Sequence, residues 1–584
     1  MIAKTPLHLS RLQPIYDIAE ICAKKGINEA ILCPGSRCAP LTLAFVRHPE
    51  INTKTISDER SAAFIGLGIA QQTHQPTVLI CTSGSAAYNF APAIAEAFFQ
   101  EVPLLVLTAD RPSEWIDQWD GQTIRQTTIF GQHVKKSFTL PHDYDHADST
   151  WFINRTINEA INLSCAHPPG PVHVNIPLRE PLYPTPGEKI TFSSTNKITT
   201  ESNLQPTISD SLKEELLESL RSFKKVILLA GQQEYNDGII KSAERFSKKH
   251  HVAIIGDVIS NFHGYDNGIR FADSILGQSI TSVKESLKPE LLITFGKSVI
   301  SKNLKQFLRQ HKPTEHWHIQ PAGVVPDTFQ SLTKVIRSTP KHFFDSLLEN
   351  EKETSFDSQK KENYTRLWQA EEHRVQLAQE KYFKETAFAE INLLKEVIKA
   401  LPMRCNLHLS NSMAVRYANM IGLTSDQKGV HVFANRGTSG IDGCTSTAVG
   451  NSFCSDVPTI LITGDMAFFY DRNAFWHTYK MPNLHVVVVN NQGGIIFGVI
   501  DGPGNLPEAD EYFVTQQKLT AKNLSDEFNL SYSLLDSSKK IKNSLKDFFD
   551  FSGTTKILEI KSDQKTAKEA FTQFNLQIKK SYDA

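Results

Sequence analysis

Short apolar runs recur along the chain, each closed by small or polar residues. In the first third they are Ala30-Ile31-Leu32-Cys33, Thr77-Val78-Leu79-Ile80-Cys81, Leu104-Leu105-Val106-Leu107-Thr108 and Val172-His173-Val174-Asn175-Ile176. Runs this short, apolar at nearly every position rather than at alternate ones, predict strands buried on both faces. Between them, helical spacing over 15–25, 61–71 and 86–99 predicts helices, the first stopped at Gly26. Strands alternating with helices predict a parallel α/β sheet.

The same pattern returns twice. Val226-Ile227-Leu228-Leu229, Val252-Ala253-Ile254-Ile255 and Leu291-Leu292-Ile293-Thr294 mark a central segment. Asn406-Leu407-His408-Leu409, Val430-His431-Val432-Phe433, 459–463, 484–489 and 555–560 mark a last one. A Pro-, Ser-, Thr- and Asn-rich stretch from Tyr183 to about Ser211 reads as a linker. A highly charged stretch from about Leu347 to Glu385 reads as a solvated helical connector. The expected organisation is three parallel-sheet α/β domains, over 1–185, 205–345 and 385–584. Gly231, Gly256 and Gly296 close central strands but build no G-x-G-x-x-G fingerprint, so no dinucleotide site is inferred there.

Composition narrows the function classes. Over 584 residues, Lys and Arg number 62 against 63 Asp and Glu, so no global charge draws the chain to nucleic acid or anionic membrane. An anionic ligand would need a local cluster of cations. No apolar run is long enough for a membrane span. The start, Met1-Ile2-Ala3-Lys4-Thr5-Pro6, lacks a basic segment followed by an apolar core, so no secretory signal is expected. The eight cysteines form no C-x-x-C pair and several lie in apolar runs, which suits buried free thiols and a cytoplasmic location. His74, His133 and His173 lack metal-ligand spacing and are expected to be structural or exposed.

Chemistry collects at the strand ends, where parallel sheets bind ligands. Gly464-Asp465-Met466 and Asn490-Asn491-Gln492-Gly493-Gly494 each follow an apolar run; an Asp and an Asn beside glycines suit a divalent cation and a diphosphate, or else two ordinary turns. Arg37 follows a Pro-Gly turn, Arg111 closes the third strand of the first segment, and Arg416 follows Asn411-Ser412. Arginines placed this way suit bidentate carboxylate recognition, or else surface ion pairs. Glu59 precedes a helix, which fits either a carboxylate favoured by the helix N-terminus or a buried acid bonding a heteroaromatic nitrogen.

Taken together, these stretches resemble the thiamine-diphosphate-dependent enzymes. The resemblance rests on Cys33-Pro34-Gly35-Ser36-Arg37, Asp58-Glu59-Arg60, Thr82-Ser83-Gly84, 107–112 and 122–126 in the first segment. In the last it rests on Asn411-Ser412 with Arg416, Asn435-Arg436-Gly437, Ser439-Gly440-Ile441-Asp442-Gly443, and the Asp465 and Asn491 stretches. It implies the thiamine-diphosphate-binding fold. It also implies that Asp465, the Asn491 side chain and the Gly493 carbonyl hold Mg²⁺, with Mn²⁺ as an alternative. Glu59 would contact N1′ of the aminopyrimidine as the catalytic acid, and Ile441 would support the bent cofactor from below. Thr82, Gly84, Gly440, Met466 and Gly494 complete the implied cofactor contacts. Met466 departs from the Gly-Asp-Gly of the common motif.

Within that family the motifs are most similar to the branch that decarboxylates 2-oxoglutarate and adds the succinyl carbanion, in a 1,4 sense, to isochorismate in menaquinone biosynthesis. The implied substrate contacts are Ser36, Arg37, Arg111, Gln122, Lys302, Asn411, Ser412, Arg416, Ile496 and Phe497. Both substrates are dicarboxylates, which reconciles a neutral chain with a cationic pocket. The resemblance further implies a homo-oligomer, dimer or tetramer, with Glu59 and Asp465 of one active site on different chains. Two alternatives stand beside it: another thiamine enzyme, such as an acetohydroxyacid synthase or a 2-oxoacid decarboxylase, and a degenerate relative that only binds metabolites or a partner.

Overall fold

A computed structural model describes residues 11–202, 206–348, 358–386, 389–499 and 502–583. The Met1–Pro6 stretch read for a targeting signal lies outside them, as do parts of the linker and of the charged connector. Three parallel sheets are present, as the repeated pattern predicts. The first contains β1 (Glu29–Leu32), β2 (Asn52–Thr55), β3 (Thr77–Cys81), β4 (Leu104–Asp110), β5 (Ser137–Thr139) and β6 (Pro171–Pro177) in the order β2-β1-β3-β4-β6-β5. The second contains β7 (Val226–Ala230), β8 (Ala253–Gly256), β9 (Leu291–Phe295), β10 (Glu315–Ile319) and β11 (Lys334–Ile336) in the order β11-β10-β9-β7-β8. The third contains β12 (Cys405–Leu409), β13 (Val430–Phe433), β14 (Thr459–Gly464), β15 (Leu484–Asn490), β16 (Ser531–Leu535) and β17 (Lys556–Lys561) in the order β13-β12-β14-β15-β17-β16.

Each strand order reverses direction once near the middle, at β1/β3, β7/β9 and β12/β14. The crevice at such a reversal, outside the carboxyl ends, is where α/β sheets take ligands. Pairing of Leu409 with Ile462 and of Gly464 with Val489 brings the ends of β12, β14 and β15 to one edge. That register sets Asn411, Asp465 and Asn491 along the same rim.

Five helices matter below: α1 (Glu59–Thr73), α2 (Ala91–Gln100), α3 (Glu390–Lys399), α4 (Met413–Ile421) and α5 (Cys444–Cys454). The single helix expected over 86–99 is two, Ser85–Asn89 and α2. Pro92 lacks the N–H that would bond back into the preceding turn, and α2 restarts with it in its first turn. The charged connector is a helix, Ser358–Glu385, but it is not solvated all round. Tyr364, Trp368, Val375, Ala378 and Tyr382 are buried, and their spacing lays one apolar stripe against the core. Most of its charges occupy the remaining faces, but Lys361, Glu371 and Glu372 are buried with the stripe.

The chain divides into two compact units. One contains 1–203 with 435–456 and 470–481; the other contains 204–434, 457–469 and 482–584. Within the first, α5 packs on α1 at backbone distance. A Cβ on Gly68 would lie 1.9 Å from the Thr447 carbonyl oxygen, and one on Gly450 would lie 1.9 Å from that of Ile65. Only glycine permits that approach at these two positions.

Candidate active site

In the first unit the site residues sit where β1 and β3 end side by side, Cys33 N–H donating to the Ile80 carbonyl at 2.8 Å. Gly35 is pressed against Thr82, whose Cβ would be 2.3 Å from a Cβ at that position. Gly84 follows with φ of +90°. Its N–H donates to Gln126 Oε1 at 2.8 Å. Gln126 Nε2 in turn donates to the Ala109 carbonyl and to Asn175 Oδ1, both at 3.1 Å, and Asn175 Nδ2 donates to Asp110 Oδ2 at 2.8 Å. Burial pushes the Asp110 carboxyl above its ordinary value. This chain of amides fixes the turn after β3. The hydroxyls of Thr82 and Ser83 are nevertheless buried with no hydrogen-bond partner among the described residues. Groups of this kind are satisfied by an ordered water or a polar ligand.

Glu59 opens α1. Asp58 is the N-cap, accepting from Arg60 N–H at 2.9 Å and from Asn473 Nδ2 at 2.8 Å. That double hold orients the first turn. Glu59 is half-buried rather than buried; its Oε2 accepts from Asn89 Nδ2 at 3.4 Å. The loop carrying Gly440 and Ile441 is held by Glu96 of α2. Its buried carboxylate accepts from Gly437 N–H at 2.7 Å and from Thr438 N–H and Oγ1, both at 2.6 Å. Among the implied substrate contacts, Arg37 is buried and donates to the Leu178 carbonyl at 2.9 Å, whereas Ser36 is exposed. Arg111 donates to the Gly121 carbonyl at 2.8 Å and pairs with Asp120 at 3.0 Å. Gln122, in that loop, takes a left-handed φ of 57°.

The second unit carries the other cluster, at the rim of β12, β14 and β15. Asp465 is 2 % exposed. Its Oδ2 accepts from Gln517 Nε2 at 2.6 Å, and burial pushes its pKa to about 6. Gln517 also donates to Asn490 Oδ1 at 3.2 Å. Asn491 Nδ2 donates to Glu390 at 3.2 and 3.4 Å, while its Oδ1 is buried with no partner among the described residues. Glu390 is fully enclosed; burial pushes it to about 7 against donation from Tyr417, Asn491 and Ser562. Gly493 is pinned between Gln564 and Val514, where a Cβ would lie 2.9 Å from each. Gly494 donates to the Val514 carbonyl at 2.7 Å. Asp465 and Asn491 follow the paired strands β14 and β15, and oxygen donors of this kind suit Mg²⁺ rather than zinc. Among the described residues no group of three or more His, Cys, Asp or Glu offers an alternative metal site.

Asn411 is buried, and Ser412 follows in a left-handed conformation, φ of 70°. Its carbonyl accepts from Arg416 Nη1 at 2.6 Å. Ile496 and Phe497 open a short helix after the glycines, with Phe513 at 6.1 Å from the Phe497 ring. Met466 follows Asp465 in its helical turn and is half-buried. Lys302 is at the first position of a helix in the central segment, capped by Ser301 Oγ. Its neighbour Asn303 is fastened to Asp273 through N–H and Nδ2, both at 3.0 Å.

Several residues that hold the site were not found from the sequence: Asn89, Glu96, Glu390, Asn473 and Gln517. Glu96 carried a signal, a lone acid within the apolar text of α2. Glu390 reads as an ordinary first-turn acid, and Gln517 carries no local signal at all.

Comparison with known proteins identifies a family. Residues 16–129 match the family model "Thiamine pyrophosphate enzyme, N-terminal TPP binding domain", and residues 193–409 match "Middle domain of thiamine pyrophosphate". The chain is 45 % identical to the 2-succinyl-5-enolpyruvyl-6-hydroxy-3-cyclohexene-1-carboxylate synthase of Cytophaga hutchinsonii, over 98 % of this chain and 100 % of the relative. It is 38 % identical to the enzyme of that name from Flavobacterium johnsoniae, over 93 % and 95 % of the two chains. With the Porphyromonas gingivalis enzyme the figures are 34 %, 93 % and 93 %. Identity at this level across nearly whole chains, with a thiamine pyrophosphate domain at the N-terminus, means that the protein belongs to the 2-succinyl-5-enolpyruvyl-6-hydroxy-3-cyclohexene-1-carboxylate (SEPHCHC) synthase family of thiamine pyrophosphate enzymes.

Proposed function

We propose that the protein decarboxylates 2-oxoglutarate and adds the resulting succinyl carbanion to isochorismate in a 1,4 sense, releasing CO₂ and SEPHCHC for menaquinone biosynthesis. The observation that carries this reading is the 45 % identity over 98 % of the chain to a synthase of that name. Thiamine diphosphate, when bound, supplies the nucleophilic carbon and the electron sink for decarboxylation.

The residues of the chain do the rest. Asp465, Asn491 Oδ1 and the Gly493 carbonyl would hold Mg²⁺ or Mn²⁺; the buried Asn491 Oδ1, unpartnered among the described residues, supports this assignment. Met466 and Gly494 flank that set. Thr82 and Gly84 contact the cofactor, and the unpartnered Thr82 hydroxyl supports a polar contact there. Glu59 holds a proton at N1′ of the aminopyrimidine, positioned by its place in the first turn of α1. Gly440 and Ile441 approach the cofactor from the loop that Glu96 clamps. Arg37, Arg111, Lys302 and Arg416 receive substrate carboxylates, with Ser36, Gln122, Asn411 and Ser412 as hydrogen-bonding partners and Ile496 and Phe497 as an apolar wall. The working domain assignment is 1–185, 205–345 and 385–584. The protein acts in the cytoplasm as a homo-oligomer, dimer or tetramer, each cofactor shared between two chains.

Purified protein incubated with thiamine diphosphate, Mg²⁺, 2-oxoglutarate and isochorismate should yield SEPHCHC by mass spectrometry. Turnover of 2-oxoglutarate with no adduct would make it a 2-oxoacid decarboxylase, and no turnover would leave a binding protein. The four cations favour dicarboxylates over the small neutral acceptors of acetohydroxyacid synthases.

A further inference from the structure

The amide of Asn491 has two chemically different ends, and the chain provides for only one. Nδ2 lies 3.2 and 3.4 Å from the two oxygens of Glu390; Oδ1 is buried and meets no donor among the described residues. Both Glu390 oxygens act as acceptors, Oε1 from the Tyr417 hydroxyl and Oε2 from Asn491 Nδ2, so the carboxyl receives the Nδ2 end of the amide and turns the oxygen away. Glu390 is itself fixed. It is the first residue of α3, it is 1 % exposed, and Tyr417 donates to its Oε1 at 2.6 Å. Tyr417 stands on α4, the helix that carries Arg416 and begins after Ser412. No side chain outside this group selects between the two orientations of the Asn491 amide among the described residues.

We propose that Glu390 is a positioning residue of the metal site: buried between Tyr417 and Asn491, it holds the Asn491 amide with Oδ1 facing the cation. This rests on the reading of Asp465, Asn491 and Gly493 as the metal ligands. Glu390 touches neither cation nor substrate. Its effect passes through the orientation of one amide, which places the prediction in metal affinity and not in the chemical step alone. Without Glu390 the amide is free to rotate, and the oxygen that completes the metal's coordination is present only part of the time.

The test uses the full-length protein and Mn²⁺ as the probe, read by electron paramagnetic resonance with saturating thiamine diphosphate. Glu390→Ala, Asn491→Ala and the double variant are compared, with thermal melting of each cofactor-free protein as the fold control. Outer partners of metal ligands typically govern ~10–100-fold in affinity, so Glu390→Ala should weaken Mn²⁺ binding by that order. The double variant should bind no worse than Asn491→Ala, because Glu390 acts through that side chain. Affinity unchanged in Glu390→Ala, or losses that add in the double variant, overturns the proposal. Should Glu390→Ala not fold, the near-isosteric Glu390→Gln carries the test, with a loss of at least about threefold in the wild-type background and none in Asn491→Ala. Asp465→Ala separates the two levels: Mn²⁺ affinity that survives it refutes the metal-site reading itself, and the proposal with it. Affinity lost in Asp465→Ala but kept in Glu390→Ala refutes the role of Glu390 alone.

Discussion

Gly68→Ala should open the contact between α1 and α5. A Cβ there would lie 1.9 Å from the Thr447 carbonyl oxygen, 2.8 Å from its carbon and 2.9 Å from Asn451 N. Carbon and oxygen normally approach no closer than roughly 3.3 Å, so about 1.4 Å must be found. The obstacle is helical backbone, which cannot rotate aside as a side chain does. Overpacking a core costs about 1–3 kcal/mol, and this site belongs at the upper end. Alanine's helix propensity offsets about 1 kcal/mol of that. The net loss is about 2 kcal/mol, and a unit of this size melts ~2–4 °C lower per kcal/mol. Gly66→Ala is the matched control on the same helix. Its Cβ would meet the Leu79 Cδ2 methyl at 2.4 Å, the far end of a flexible side chain, so the propensity gain offsets most of the cost. Differential scanning calorimetry should place Gly68→Ala about 4–8 °C below wild type and Gly66→Ala within about 2 °C of it. Turnover should also fall in Gly68→Ala. Glu59 opens α1 and Ile441 lies just before α5, and a displacement of about 1 Å at such residues costs on the order of 100-fold. A Gly68→Ala protein that melts at or above wild type would show that the two backbones do not meet there.

Glu59→Gln should abolish turnover while thiamine diphosphate still binds in a fluorescence titration; retained turnover removes Glu59 from the chemistry. Arg416→Ala should weaken substrate use by about 2–5 kcal/mol in kcat/KM, the cost of losing one partner of a charged pair in a closed site, with cofactor affinity unchanged. Equal weakening of both would sink that assignment. After chelation and gel filtration, Mg²⁺ and thiamine diphosphate added together should raise the melting temperature, by about 2.7 kcal/mol of stabilisation at ligand concentrations near 100 Kd; equal effects of either alone would argue against a shared site. His173 is buried against Thr108 Oγ1 at 2.8 Å, and burial pushes its pKa from 6.5 down to about 3. Above pH 6.5 it is neutral folded or unfolded. Below that the unfolded chain takes a proton that the folded one refuses, so its contribution to stability is lost as pH falls toward 3, by at most about 1.4 kcal/mol per pH unit. The melting advantage of wild type over His173→Gln should therefore shrink from pH 7 to pH 5; a gap that holds or widens contradicts the assignment.

The central strands were legible because burial on both faces forces apolar residues at nearly every position, and that pattern survives in one dimension. The edge strands β2, β5, β11 and β16 were not, nor was the interior β10, whose text mixes Glu315 and two histidines with its apolar residues. β2 is Asn52-Thr53-Lys54-Thr55, half open to solvent, and nothing in its text separates it from a loop. The connector helix was misjudged for a related reason. Its buried stripe of Tyr364, Trp368, Val375 and Tyr382 is diluted by charges, of which Lys361, Glu371 and Glu372 are buried with it, so composition hides what spacing would have revealed.

The residues expected to do chemistry were named from local motifs, because a strand end, its glycines and its polar residues are neighbours in sequence. The partners that aim them were decided only in three dimensions. Glu390 lies 101 positions from Asn491, Gln517 lies 52 from Asp465, and Glu96 lies 341 from Gly437. A hydrogen bond is set by distance in space and by which atom faces which. The sequence alone determined the three sheets, the strand ends and the family motifs. Packing alone decided that Asn491 keeps its oxygen free, and that α1 and α5 touch through Gly68 and Gly450.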